Sequence, residues 1–144
     1  MSAADIIHIC ENVWEANKSD CNAFAKAVAS HYGVTLTGRA NDIVDQISSP
    51  ANGWVKLSNG VAAQQKAAEG ALVIGGLKGS AMTPPEEHGH VVVVVDGDLA
   101  HGAYPTAYWG KLNSVGAKRK TINWAWKAGD RDNVTYAWRR VETA

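Results

Sequence analysis

The apolar pattern of the chain changes its period at Gly70, and this change constrains the fold more than any other feature. Before Gly70, apolar residues recur every three or four positions, as they do on amphipathic helices. After Gly70 they form runs rich in β-branched residues, as they do in strands. Helices followed by strands predict an α+β fold, with N-terminal helices packed on a mainly antiparallel β-sheet.

Helices are predicted over residues 4–17, from residue 21 to a stop at Gly33, over residues 41–47 and over residues 61–69. The second helix has a clear start signal. Ser19 or Asp20 can cap its free backbone N–H groups, because short polar side chains accept hydrogen bonds from the first turn. Cys21 therefore falls in that first turn.

Strands are predicted over residues 71–74, 90–95, 121–126 and 134–141. Asp96-Gly97 is a strong signal for a two-residue hairpin turn, and it would return the chain through residues 99–101 toward Trp109. In that register His90 lies opposite Ala103 and diagonal to His101.

The charge balance bears on possible partners. Fourteen Lys and Arg balance fourteen Asp and Glu, so no overall field attracts nucleic acid or an anionic membrane. No segment is long and apolar enough to span a bilayer, and residues 1–16 carry no cationic leader, so we expect no secretory signal. A chain of 144 residues is the size of one domain, and we expect one domain over residues 1–144.

Cys21 and His90 are the candidate catalytic residues. A thiol at a helix N-terminus lies at the positive end of the helix dipole, and a nearby imidazole can accept its proton, which makes the sulfur a nucleophile. His90 opens an apolar strand, where an imidazole needs a partner. His101 is the predicted third member that orients His90; a different register would bring Tyr104 or a backbone carbonyl to its place.

Other roles for the cysteines and histidines are less well supported. Cys10 lies on the apolar stripe of the first helix, which indicates a core residue, although a disulfide with Cys21 is an alternative. His88, His90 and His101 could in principle bind zinc, but no fourth ligand accompanies them. We expect neither a metal nor a cofactor.

The aromatic residues allow two interpretations. The six tryptophans could stack on carbohydrate, but most are expected in the core, and Trp124 and Trp126 would share one packed sheet face if residues 121–126 form a strand. The basic residues 118–120 are expected in a solvated turn.

Three stretches of the chain, residues 20–24, 63–79 and 89–93, resemble the first family of type VI secretion amidase effectors. These are small NlpC-type cysteine peptidases with a papain-like core. The similarity extends from Asn12 to about Trp109, and the cysteine precedes the histidine as in that family. Asn22 and Ala23 replace the Ser and Gly that NlpC-type enzymes typically carry, residues 80–88 form a longer loop, and the segment from Lys111 matches poorly.

This resemblance implies a specific activity. Cys21 would be the nucleophile, His90 the general base, and the bond cleaved would join γ-D-glutamate to meso-diaminopimelate in peptidoglycan stem peptides. The implied partners are the type VI secretion apparatus and a cognate immunity protein that plugs the cleft. The protein would be an antibacterial toxin, made in the cytoplasm and acting as a monomer in the periplasm of a recipient cell.

Two other functions fit the residues. A non-catalytic wall-binding module would use exposed tryptophans and release no new amines. A different amidase or an acyltransferase would use the same cysteine and histidine on another acyl donor.

Overall fold

The computed structural model describes residues 2–142 of the chain. In these residues four α-helices and six strands follow one another as α1 (Ala3–Asn17), α2 (Cys21–His31), α3 (Ala40–Ile47), β1 (Val55–Leu57), α4 (Gly60–Ala68), β2 (Leu72–Leu77), β3 (His90–Val94), β4 (Thr106–Trp109), β5 (Ala117–Thr121) and β6 (Thr135–Arg139). The predicted α+β class is confirmed.

The four predicted helices are all present, each within a residue or two of its predicted bounds. Local signals explain this agreement. The Asp20 side chain caps α2 by accepting hydrogen bonds from the N–H groups of Asn22 and Ala23, at 3.1 and 3.2 Å. Beyond the end of α2, Gly33 adopts a positive φ of 73°, a conformation that glycine reaches without steric cost.

The six strands form one antiparallel sheet in the order β1-β6-β2-β3-β4-β5. The valine-rich strand β3 lies between β2 and β4 in this order. Strand β1 precedes α4 and was not predicted, because three residues are too short to give a recognisable alternation.

Each face of the sheet carries its own core. Val91 and Val93 of β3 pack with α1, α2 and α3, whereas Val92 and Val94 pack on the opposite face with α4 and aromatic residues. This division follows from the alternation of side chains along a strand. Because both faces of β3 are covered, the sequence of that strand is continuously apolar after His90.

The predicted hairpin is wrong. Val93 pairs with Tyr108 and Val94 with Ala107, so β4 begins at Thr106 and a long connection replaces the two-residue turn. Gly97 packs against the Thr106 side chain, and the threonine hydroxyl donates a hydrogen bond of 2.8 Å to the carbonyl of Asp98. The Asp-Gly pair therefore lies in a connection with its own hydrogen bonds.

Two further predictions in the C-terminal part are wrong. The strand expected over residues 121–126 ends at Thr121, and a short 3-10 helix, Ile122–Trp124, follows. Trp124 and Trp126 consequently do not share a packed face: Trp124 is 71 % exposed and Trp126 is 5 % exposed. Residues 118–120 are exposed, as expected, but they belong to the edge strand β5 and not to a turn. No helix of the described residues has the length and apolar character needed to cross a membrane.

Candidate active site

Cys21 is the first residue of α2 and packs against the start of β3. Its side chain is buried, with 5 % of its surface exposed, and its thiol contacts the backbone of Val91 through a hydrogen bond. Cys21 carries no disulfide, and neither does Cys10, which is fully buried in the core as expected. The two cysteines therefore occupy different environments, one in the core and one beside the strand that begins at His90.

His90 is the first residue of β3 and is partly buried. Its ring contacts two indoles edge to face, with ring centroids 5.2 Å from Trp126 and 6.3 Å from Trp109. Such edge-on contacts are favourable for aromatic rings. The two tryptophans belong to the core on the α4 side of the sheet. From that side they restrict the orientation of the imidazole.

Cys21 and His90 line the same open cavity, which has a volume of about 980 Å³. No hydrogen bond joins the thiol to the imidazole among the described residues. The cavity wall also includes Asn22 from α2, Lys111 from the segment after β4, and Trp126. The structure thus brings the two predicted residues to one solvent-reachable space, although they are 69 positions apart in the chain.

The environment of the pair favours the neutral form of both groups. Burial raises the pKa of the Cys21 thiol, the carboxylate of Asp20 raises it further, and the hydrogen bond from the Val91 backbone opposes this rise. Burial lowers the pKa of His90 to about 4, assisted by the positive charge of Lys111. At neutral pH the pair is therefore a thiol and a neutral imidazole, and a neutral imidazole is the protonation state that a general base needs.

Lys111 reaches the site because the segment after β4 is fastened to the junction of α1 and α2. The N–H groups of Lys111 and Gly116 both donate to the carbonyl of Lys18, at 3.0 and 2.8 Å. Gly110 lies between the end of β4 and Lys111. It is so close to the junction of α1 and α2 that a Cβ at this position would collide with the carbonyl of Asn17. Glycine is required at this approach.

The loop before His90 is fastened to α3. The Asn41 side chain donates to the carbonyl of Glu87 and accepts from the N–H of Gly79, both at 3.0 Å. Asp130 fixes the same loop from the other side by accepting a 2.8 Å hydrogen bond from the N–H of Thr83. These contacts hold a wall of the cavity in place.

His101 lies outside this site. The observed register pairs Val93 with Tyr108 and not with Ala100, so β4 enters the sheet without bringing His101 beside His90. His101 is exposed, has a positive φ of 52°, and contacts Tyr104 with ring centroids 6.1 Å apart. The geometric reason for assigning it as the orienting group is absent.

Tyr104 does not take the place of His101. Its hydroxyl donates a 2.7 Å hydrogen bond to Asp132, and the residue is not part of the cavity wall. In residues 2–142 no group of three or more His, Cys, Asp and Glu side chains is arranged to hold a metal ion, so His88, His90 and His101 do not form a zinc cluster.

Sequence reasoning missed Trp126, Lys111 and Asp130 as residues of the cavity wall. Lys111 and Trp126 reach the wall through strand pairing and loop packing that no local pattern encodes. The role of Asp130 becomes visible only in the structure, where its carboxylate is 2 % exposed and therefore needs a hydrogen-bond partner.

The fold and the cavity together define a class of protein. The α+β fold is consistent with a papain-like amidase, and a cysteine at a helix N-terminus and a histidine at the start of a neighbouring antiparallel strand, both lining one cavity, are compatible with cysteine catalysis.

A known protein gives the family. No protein-family model matches the chain. The chain is 37 % identical to the peptidoglycan amidase Tse1 of Pseudomonas aeruginosa strain PAO1 over 142 residues, covering 91 % of this chain and 86 % of the relative. It belongs to the family of that peptidoglycan amidase, which confirms the amidase family indicated by the three stretches of sequence.

Proposed function

We propose that this protein is an antibacterial enzyme that hydrolyses an amide bond of peptidoglycan with Cys21 as its nucleophile and His90 as its general base. The observation that carries the proposal is the placement of these two side chains on one open cavity in a chain of this amidase family. The catalytic domain spans residues 1–144.

The first half of the reaction forms an acyl-enzyme. His90 accepts the thiol proton while the sulfur of Cys21 attacks the carbonyl carbon of the substrate amide. The C–N bond then breaks, His90 transfers the proton to the departing nitrogen, and the amine leaves. A neutral imidazole suits the first transfer, because an imidazolium could not accept the proton.

The oxyanion that develops during attack needs hydrogen-bond donors. The N–H groups of Asn22 and Ala23 already donate to the Asp20 side chain, so these two groups of the helix start are not free to bind an oxyanion. The N–H of Cys21 donates to no carbonyl or carboxylate within residues 2–142, and it belongs to the same residue as the attacking sulfur. We assign it as the oxyanion donor from α2.

The second half of the reaction releases the acid. His90 removes a proton from water, the resulting oxygen attacks the thioester carbon, and the C–S bond breaks while His90 returns the proton to the sulfur, which regenerates the Cys21 thiol and the neutral imidazole. The water supplies the hydroxyl group of the product acid. The cycle therefore requires no group beyond the two side chains, the backbone donor and water.

The resemblance to the effector family specifies this proposal further. It supports cleavage between γ-D-glutamate and meso-diaminopimelate, delivery by a type VI secretion apparatus, action in the periplasm of the recipient cell, and inhibition by a cognate immunity protein. The proposed substrate is thus a stem peptide of the recipient's cell wall.

The test uses three variants and purified sacculi. Cys21→Ala and His90→Ala should each reduce release of new amines by at least about a thousandfold, because each removes a group that acts in every step. Cys10→Ala is the matched control and should retain turnover, because Cys10 is buried in the core away from the cavity. Mass spectrometry of the released fragments identifies the bond.

Two results would contradict the proposal. Retained turnover in Cys21→Ala would exclude that residue as the nucleophile. Binding of the wild-type protein to sacculi without any release of amines would assign a wall-binding module instead.

A further inference from the structure

Trp124 differs from the other tryptophans of the chain in its exposure. It is 71 % exposed, whereas four of the others, Trp14, Trp54, Trp109 and Trp126, are 9 % exposed or less. Singly exposed apolar residues are common, but tryptophan is enriched at binding surfaces, because its large apolar ring carries a polar N–H group.

The exposed indole belongs to a segment that leads directly into the cavity wall. Trp124 ends a short 3-10 helix whose first residue, Ile122, is fully buried and anchors the segment in the core. The next two residues, Ala125 and Trp126, are part of the cavity wall. Trp124 itself is not part of that wall, but it directly precedes Ala125 in the chain, so its indole is carried by the segment that enters the wall.

One side of the indole is already occupied. The ammonium of Lys120 lies 5.3 Å from the ring centroid of Trp124, within the range of a cation–π contact. Because the residue is nevertheless 71 % exposed, the opposite face of the ring is open to solvent. The contact with Lys120 restrains the ring, which lowers the entropic cost of binding a ligand on that open face.

We propose that Trp124 is a stacking platform for a sugar ring of the peptidoglycan glycan strand, positioned so that the stem peptide attached to that strand enters the cavity at Cys21. This inference rests on the proposed function. The apolar C–H face of a pyranose matches the area of an indole, and its acetamido and hydroxyl groups can accept from the indole N–H.

The charge of the chain argues for sugar over a nucleic-acid base as the stacked group. A base would bring phosphates, and the chain has no net charge to attract them. Leu112, which is 45 % exposed and belongs to the cavity wall, adds an exposed apolar side chain to the same cavity. A neutral amino sugar fits this combination of an aromatic face and an exposed apolar side chain.

The experiment compares two substrates with the variant Trp124→Ser. One substrate is intact sacculi, which contain glycan, and the other is a soluble stem peptide without glycan. Trp124→Ser should lower kcat/KM on subsaturating sacculi about tenfold, the loss expected for one aromatic contact. Turnover of the soluble peptide should be unchanged, because Trp124 does not reach the reacting atoms.

Two controls accompany this comparison. Val115→Ser removes another apolar side chain, 56 % exposed and outside the cavity wall, and should change neither rate. The double variant Cys21→Ala, Trp124→Ser should bind sacculi about tenfold more weakly than Cys21→Ala in a pull-down, which measures the platform without cleavage.

The outcomes separate the two proposals. If Trp124→Ser changes neither the binding of sacculi nor the rate of their cleavage, the proposed stacking on a sugar ring is wrong. An equal loss on both substrates would also overturn it, because a glycan contact cannot affect a glycan-free peptide. If the wild-type protein cleaves neither substrate, the proposed function fails, and the pull-down still decides the platform.

Discussion

At the scale of single residues, the surroundings of Cys21 and His90 determine the pKa values of both side chains. The helix dipole at Cys21 favours a thiolate, and the sequence alone suggested an activated nucleophile. Burial outweighs this effect in the structure, since the pKa of Cys21 is raised and the pKa of His90 is lowered. We therefore expect proton transfer to accompany attack on the substrate and not to precede substrate binding.

The pH profile tests this state of His90. Activity requires neutral His90, so kcat/KM should rise through an acid limb near pH 4 and be level at neutral pH. Lys111→Met should move that limb to higher pH, because removing the positive charge lets His90 hold its proton more easily.

The matched control for that profile is Lys127→Met, which alters another lysine of the cavity wall. Lys127 contributes nothing to the lowered pKa of His90, so its variant should keep the wild-type limb. A limb that stays in place in Lys111→Met would contradict the electrostatic role of Lys111.

His101 gives a second prediction at the residue scale. Because it is exposed and outside the cavity wall, His101→Ala should leave kcat/KM within about twofold of wild type. Steady-state kinetics on muropeptides measure this. A loss of a hundredfold or more would restore His101 to the catalytic machinery and require a rearrangement of residues 96–105.

The elements differ in how well the sequence predicted them. Helix α2 was predictable because its signals are local: a capping side chain at Asp20, a periodic apolar stripe and a glycine stop. The connection between β3 and β4 was not predictable. Its Asp96-Gly97 pair is a signal for a tight turn, but this signal was overridden by packing that pairs Val94 with Ala107. Strand register depends on partners far along the chain, which no single sequence displays.

Gly110→Ala tests how the segment after β4 is placed. A Cβ at this position would meet the carbonyl of Asn17 and lie within 2.6 Å of the carbonyl of Asp20, so the segment or the start of α2 must move. We expect a loss of about 1–3 kcal/mol in the free energy of unfolding, measured with urea, and a fall in turnover because Lys111 and Cys21 are displaced.

Gly102→Ala is the control for that variant. Gly102 also lies in a connection, but an added Cβ there meets no atom within 4 Å, and its cost comes only from a positive φ of 66°. Its turnover should be retained. Wild-type turnover in Gly110→Ala would show that the segment does not position the site.

At the scale of the whole molecule, the candidate site joins the two halves of the chain. The sequence correctly predicted an α+β fold with Cys21 at a helix start and His90 at a strand start, because each is a local feature. The aromatic contacts of His90 could not be predicted, since Trp109 and Trp126 reach it only through the sheet and the loop after β5. Local signals identified the candidate residues, and long-range packing determined their neighbours.

The lowered pKa of His90 also predicts how global stability depends on pH. Between its ordinary value of 6.5 and about 4, the unfolded chain binds a proton at His90 and the folded chain does not. Falling pH therefore favours unfolding, and at pH 5 this one group should remove up to about 2 kcal/mol of stability relative to pH 7.

Urea unfolding at pH 7 and pH 5 measures this effect. His90→Gln should lose less stability on acidification than the wild-type protein, because glutamine does not titrate. His8→Gln, which alters an exposed histidine of α1, should show the wild-type loss. Identical losses in His90→Gln and wild type would mean that His90 titrates alike in the folded and unfolded chains.

The most direct test of the catalytic claim is the mass of the protein during turnover. Rapid acid quenching in the presence of a γ-glutamyl stem peptide, followed by peptide mapping, should reveal an acyl adduct on the fragment that contains Cys21 and none on the fragment that contains Cys10. Product that accumulates with an adduct on another residue, or release of product by Cys21→Ala under the same conditions, would contradict the account.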